Sequence, residues 1–291
     1  MVLIVLIVIA AGSGVAAAAV VRRWPQVDPS SPRATATLVE HELERHSRLR
    51  QFVRARVDPT VATGLVLSAA VAVVIIGFAS VGVLVWMVRA HAVLARFDRG
   101  VATWGGDHAT GLSTSVLKGV TQLGSTIGVI VVAAIVAIVE MVRRPARLLP
   151  VYLALVVLGQ NLIANSVKVI VDRARPDIHP LAGFSGPSFP SGHAAAAAAT
   201  YAACALVLGR ARGPRSHTWL AGVAVGIATA VATSRVLLGV HWLTDVLAGL
   251  ALGWGWFALC SIAFGGRLLR FGAPVEAAER VDALSTPRSP P

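Results

Sequence analysis

The chain has 291 residues, of which 56% are hydrophobic and 14% charged. Soluble domains carry about 25% charged residues, so the composition excludes an ordinary soluble domain and points to an integral membrane protein. The net charge of +12 does not imply nucleic acid as a partner, because most Lys and Arg sit beside apolar runs, where they set topology and touch anionic headgroups, and no soluble module with a basic face is evident.

Met1 to Val21 is apolar throughout and ends in Arg22-Arg23, a length that suits a membrane span of about 20 residues. No positive region precedes it, which weakens a signal-peptide reading. The expectation for 1–23 is a transmembrane helix or signal-anchor with its N-terminus outside; the alternatives are a cleaved signal sequence and a mis-assigned start. Residues 24–58 open with Pro25, Pro29 and Pro32 and then become helical, with Leu38, Leu43, Leu49 and Phe52 among acidic and basic residues. They read either as a cytoplasmic basic linker with a juxtamembrane helix on an anionic leaflet or as a solvated helical linker.

Six further apolar stretches follow, at Val61–Val88, Gly119–Val142, Leu149–Val167, His193–Leu208, Trp219–Thr233 and Leu243–Phe264. They predict a six-span unit over 59–266, and 267–291 reads as a disordered cytoplasmic tail. Arg89–Lys118 is expected to be an outer loop, with Trp104 as interfacial anchor and with Asp98 and His108 as candidates for shaping substrate access. Cys204 and Cys260 lie in apolar segments without metal-ligand spacing and read as buried free thiols.

Three polar clusters interrupt this apolar sequence: Lys168 to Arg175-Pro176, Pro190-Ser191-Gly192-His193, and Ser234-Arg235 to His241 and Asp245. Ionisable groups at such places mark functional sites by default. If the clusters face outward, the inner segments hold 18 of the 26 Lys and Arg residues, which predicts an extracytoplasmic site.

Asn161, Asn165, Lys168 and Asp172 follow one another at spacings that share a helical face, expected to support the site from below. Pro176 disfavours helix at Arg175, so Lys168 and Arg175 stand about two turns apart and approach one anion from adjacent directions. Snorkelling to headgroups would suit either cation alone. Ser191 is a candidate N-cap, and Gly192 lets backbone amides approach an anion at the helix start, with His193 at the rim; a plain helix cap with an incidental histidine is the bland alternative. The i, i+4 pair His241–Asp245 lets the carboxylate orient the imidazole and leaves one ring nitrogen free as a nucleophile. Arg235 adds donors suited to phosphate oxygens. Three cations gathered without an anion would repel one another, and a doubly charged phosphate would neutralise them. With no outer carboxylate cluster for Mg²⁺ and only two histidines where catalytic zinc usually has three protein ligands, the economical reading is phosphoryl transfer with no metal and no cofactor.

These clusters closely resemble the signature of the type 2 phosphatidic acid phosphatase (PAP2) superfamily, K-x6-R-P, P-S-G-H and S-R-x5-H-x3-D, with every position present between Lys168 and Asp245. The resemblance implies an all-α polytopic membrane bundle, a six-helix core here carrying an additional N-terminal helix. It implies that His241 attacks phosphorus to form a phosphohistidine, that Asp245 orients it, and that His193 protonates the leaving oxygen and then activates water. Lys168, Arg175, Ser191, Gly192 and Arg235 would bind the phosphate. The expected activity is hydrolysis of a lipid phosphate monoester or pyrophosphate (phosphatidic acid, phosphatidylglycerol phosphate or polyprenyl pyrophosphate class) in the plasma membrane, with membrane lipids as the other partners. The alternatives are a phosphotransferase using the same intermediate and a non-enzymatic lipid-binding membrane protein. Neither tail class nor oligomeric state is readable from the sequence.

Overall fold

The computed structural model describes residues 1–23, 82, 92–178, 180–210 and 212–268. The predicted linker over 24–58, nearly all of the Val61–Val88 stretch and nearly all of the tail lie outside these residues. The described chain is all-helical: α1 (Val2–Arg23), α2 (Ala92–Asp107), α3 (Gly111–Gln122), α4 (Thr126–Arg143), α5 (Leu149–Val171), α6 (Gly192–Gly209), α7 (Pro214–Leu237) and α8 (Leu243–Leu268). Six of them, α1 and α4 to α8, are long and apolar enough to cross a membrane.

The helix ends follow local chemistry. Pro150 and Pro214 occupy the first turns of α5 and α7, where a missing N–H costs no hydrogen bond. Ser125 caps α4 by accepting from the Gly128 amide at 3.0 Å. Asp245 lies in the first turn of α8, where a carboxylate meets the positive end of the helix dipole.

The centre of the bundle is α6, which packs against α4, α5, α7 and α8. Its run Ala194 to Ala199 is buried at every position, because small side chains let neighbouring backbones approach closely. A Cβ on Gly253 of α8 would lie 2.3 Å from the Ala195 carbonyl oxygen, and one on Gly249 would lie 2.5 Å from the Ser191 oxygen. On the periphery, Ile127, Val131, Ile135, Ile138 and Val142 are exposed along one side of α4, an apolar stripe suited to lipid.

The N-terminal helix is docked antiparallel on α7. Ser13 and Thr229 hydroxyls meet at 2.6 Å, and a Cβ on Gly14 would lie 2.7 Å from the Gly222 oxygen. Val2 and Leu6 join Leu117, Leu237, Leu238 and Val240 in one apolar cluster, so the start of α1 stands at the same end of the bundle as the third polar cluster.

The helix assignments depart from the sequence expectations in four places. The stretch Gly119–Val142 is not one helix: α3 ends at Gln122 and α4 begins at Thr126. The break contains Gly124, where a Cβ would lie 2.8 Å from the His193 oxygen and 2.5 Å from Val231 Cγ1, a close approach that a larger residue would block. The expected outer loop Arg89–Lys118 contains α2 and most of α3, the latter started by a capping box between Thr110 and Ser113. Helix α7 extends beyond Thr233 through Ser234 and Arg235. Finally, α5 stops at Val171, with Asp172 in the left-handed region at φ 44°, so Arg175 lies in the non-helical segment beyond α5 and not two helical turns above Lys168.

Candidate active site

Five helix ends converge: the C-termini of α3, α5 and α7 and the N-termini of α6 and α8. Between them lies a cavity of about 610 Å³ whose walls include Lys168, Arg175, Gly192, His193, Arg235 and His241. All three sequence clusters therefore meet in one place. Ser191 and Asp245 stand behind this surface and are fully buried.

Helix α6 begins at the cavity. Ser191 caps it, its hydroxyl accepting from the Ala194 amide at 3.4 Å, while its own N–H donates to the Asp245 carbonyl at 3.0 Å. This ties the second cluster to the third and turns Gly192 toward Lys168. A Cβ on Gly192 would meet nothing nearer than the Lys168 Nζ at 3.9 Å, leaving that side open to a ligand.

His241 is 2% exposed. Its Nε2 faces Arg175 Nη1 at 3.2 Å. A guanidinium only donates, so Nε2 presents its lone pair and the ring proton sits on Nδ1. That proton points at Asp245 Oδ2, 3.4 Å away. The separation is long for a hydrogen bond, and Nδ1 has no other partner among the described residues. Catalytic contacts often tighten only when substrate is bound. Burial, reinforced by Arg175 and Arg235 and opposed by Asp245, pushes His241 down to about 4, so the ring is neutral at physiological pH.

Asp245 is held by two other donors. Its Oδ1 accepts from Arg173 Nη1 at 2.5 Å and its Oδ2 from the Trp242 amide at 2.9 Å. Arg173 also donates to Thr244 Oγ1 at 2.7 Å and to Asp98 Oδ2 at 2.9 Å. Asp98 in turn accepts from the Thr244 amide at 3.1 Å and hydroxyl at 2.6 Å. This network sits behind the nucleophile, on the side away from the cavity.

Arg175 spans the cavity wall. It donates to the carbonyls of Ser185, Gly186, Pro187 and Val240 at 2.7–3.2 Å, and its guanidinium lies 5.1 Å from the Phe184 ring centroid. Burial lowers it from its ordinary value, opposed by Asp245. Arg235 is 6% exposed and donates to Thr121 Oγ1 at 3.3 Å, while its Nε has no partner among the described residues. A buried guanidinium with an unmet donor beside an open cavity is suited to an anion.

Several sequence expectations need correction. Asp98 does not shape substrate access: it is 1% exposed and acts on Arg173 and Thr244. His108 stacks on Trp104 with ring centroids 4.7 Å apart and does not line the cavity. The face Asn161–Asn165–Lys168–Asp172 does not support the site from below. Asn165 and Asp172 are exposed and Asn161 donates to the Val157 carbonyl of its own helix, whereas the inward face of α5 runs through Val156, Gln160, Ala164 and Val167. Sequence reading also missed Arg173, Thr244, and the cavity residues Lys118, Thr121, Gln122 and Phe184.

Residues 149–268 match the PAP2 superfamily profile. The chain is 36% identical over 144 residues to phosphatidylglycerophosphatase B of Bacillus subtilis, covering 47% of this chain and 68% of that protein. It is 39% identical over 118 residues to lipid A 1-phosphatase of Rhizobium etli, covering 37% of this chain and 47% of that protein. It is 39% identical over 110 residues to decaprenylphosphoryl-5-phosphoribose phosphatase of Mycobacterium tuberculosis, covering 36% and 55%. The crystal structure of a transmembrane PAP2 type phosphatidylglycerolphosphate phosphatase from Bacillus subtilis superposes with a TM-score of 0.61 at 29% identity, over 68% of this chain and 98% of that one. The chain belongs to the PAP2 superfamily and is a multi-pass membrane phosphatase.

Proposed function

We propose that the protein hydrolyses a lipid phosphate monoester or pyrophosphate through a phosphohistidine on His241, without a metal, at the extracytoplasmic face of the plasma membrane. The observation that carries the mechanism is the placing of His241 on a cation-lined cavity, with Nε2 unprotonated beside Arg175 Nη1 and Nδ1–H directed at Asp245.

In the first step the Nε2 lone pair attacks phosphorus as the bond from phosphorus to the lipid oxygen breaks. His193 gives a proton to that leaving oxygen, and the bound phosphate dianion supplies the counter-charge that lets the imidazole carry it. The Asp245 carboxylate stabilises the positive charge growing on His241. In the second step His193 takes a proton from water, water oxygen bonds to phosphorus, and the bond to Nε2 breaks, releasing inorganic phosphate. Lys168, Arg175, Arg235 and the Gly192 amide hold the non-bridging oxygens, where transition-state charge is spread. Ser191 contributes by capping the helix that presents the amide.

A lipid substrate is supported by the relatives, which are named for phosphatidylglycerophosphate, lipid A and decaprenylphosphoryl substrates, and by a site surrounded by membrane-spanning helices. The test is phosphate release from phosphatidic acid, phosphatidylglycerol phosphate and polyprenyl pyrophosphate by purified protein in detergent. Activity is expected to survive EDTA, and His241→Ala should reduce it by about 10⁴-fold or more, the scale seen when a covalent nucleophile is removed. Near-normal turnover by that variant would rule out the phosphohistidine, and strict dependence on added Mg²⁺ would rule out the metal-free reading.

A further inference from the structure

The cavity contains a fourth cation that the signature does not include. Lys118 lies on α3 one turn before Gln122, and both side chains line the cavity together with Thr121. Residues at i, i+3 and i+4 share a helical face, so α3 presents this triplet as one wall. Thr121 accepts from Arg235 at 3.3 Å, which joins the wall directly to the phosphate-binding cations. Lys118 is about one turn, roughly 5 Å, farther along the helix. Neither Lys118 nor Gln122 has a side-chain hydrogen bond or ion pair among the described residues, and both are exposed to the cavity.

Charge sharpens the point. Lys118, Lys168, Arg175 and Arg235 line the cavity, and among the described residues no Asp or Glu does. A phosphate monoester brings at most two negative charges against four positive ones. The space of about 610 Å³ is also of the size that accommodates a whole polar headgroup.

Resting on the phosphatase reading above, we propose that Lys118 and Gln122 form a second anion subsite, which selects lipids carrying a second phosphate a few bonds from the scissile one. The Lys118 ammonium takes an oxygen of that second phosphate and the Gln122 amide donates to another. The shared chemistry is the second phosphate, either the other half of a diphosphate or a neighbouring phosphodiester.

The experiment compares kcat/KM for a polyprenyl diphosphate, phosphatidylglycerol phosphate and phosphatidic acid in wild type, Lys118→Ala and Lys118→Arg. The two-phosphate lipids should be favoured over phosphatidic acid in wild type, and Lys118→Ala should reduce that ratio about tenfold, chiefly through KM, the scale of one charge-assisted contact. Lys118→Arg should restore most of it, and raising the salt should erode it in wild type. The two arms separate the sources: a loss confined to the diphosphate, or to phosphatidylglycerol phosphate, says which second phosphate is read. A ratio unchanged in Lys118→Ala, or a wild type that prefers phosphatidic acid, overturns the subsite.

A binding arm does not depend on turnover. In His241→Ala protein, inorganic diphosphate should raise the melting temperature more than inorganic phosphate at equal concentration, and adding Lys118→Ala should remove the difference. Equal shifts before that second substitution sink the subsite even if phosphatase activity is intact. Absence of phosphate release from every lipid in wild type, with the diphosphate shift present, would instead overturn the phosphatase reading alone.

Discussion

Arg173 does not line the cavity and reaches His241 only through Asp245. Asp245 is fully buried, and a lone buried carboxylate beside an imidazole favours the imidazolium. Arg173 neutralises Asp245 at 2.5 Å, and Asp98 fixes Arg173 from its other side. Burial, with Arg175 and Arg235, holds His241 down to about 4 against the upward pull of Asp245, and we propose that Arg173 limits that pull by sharing the carboxylate. Substituting Arg173→Gln removes that counter-charge, so the His241 pKa should rise toward its ordinary 6.5. The sign follows directly: a higher pKa means a larger protonated, non-nucleophilic fraction at pH 5 to 6. The acid limb of kcat/KM should therefore move to higher pH in the variant, and kcat near neutral pH should fall because Asp245 loses the partner that fixes it behind His241. An acid limb left in place would show that Arg173 is only a packing residue. Asp98→Asn should shift the limb the same way by less, because Arg173 keeps its contact with Asp245. None of this was legible in the sequence. The spacing within Ser234–Asp245 exposes the His–Asp pair because both partners lie on adjacent turns. The Arg173–Asp98 contact joins residues 75 positions apart, and Asp98 sits in a polar stretch that resembles any outer loop.

At the scale of elements, the precision of the site depends on how closely α8 and the α3–α4 break approach the start of α6. Gly249 faces the Ser191 carbonyl and the Ala194 Cβ, which a new Cβ would meet at 2.5 and 3.0 Å. A backbone carbonyl cannot rotate away as a flexible side chain can, so Gly249→Ala must displace the helix start that carries Gly192 and His193. Overpacking of this kind costs about 1–3 kcal/mol, and kcat/KM should fall with the melting temperature. Gly255, on the same helix, has nothing within 4 Å of a Cβ, and Gly255→Ala should be neutral or stabilising by about 0.5–1 kcal/mol. If the two variants melt and turn over alike, close approach at Gly249 is not what sets the site. The two glycines look alike in the sequence, since periodicity marks an apolar helix without revealing which neighbour will touch it. The long apolar helices themselves were readable from hydropathy. The broken α3–α4 stretch was not, because Leu123, Gly124 and Ser125 interrupt it without a charge or a proline.

For the whole molecule, the charge distribution and the site lie at opposite ends of the bundle. Arg22 and Arg23 end α1, Arg143 ends α4 with Arg144 and Arg147 just beyond it, and Arg210 and Arg212 precede α7, whose first turn holds Arg215. All stand at the helix ends away from the cavity, and there Arg210 donates to the Arg144 carbonyl at 2.8 Å while Arg212 lies 3.7 Å from the buried Glu140. Of the described cations on the site side, Lys118, Lys168, Arg175 and Arg235 line the cavity and Arg173 pairs with Asp245 and Asp98, which leaves Arg96 and Arg99 outside the site and its supporting network. This asymmetry supports a cytoplasmic arginine end and an extracytoplasmic site, with α1 entering from the site side. The proposal is checked by labelling single introduced cysteines. Cys204 and Cys260 are buried in the bundle, so they should react slowly and leave a low background. Asp177, exposed just beyond Pro176, reports the site end, and Arg144, exposed at the end of α4, reports the other. A membrane-impermeant maleimide should label Asp177→Cys on intact spheroplasts and Arg144→Cys only after permeabilisation. The reverse pattern would place the cavity on the cytoplasmic side. The positive charge of the molecule would then have to be explained by something other than its topology.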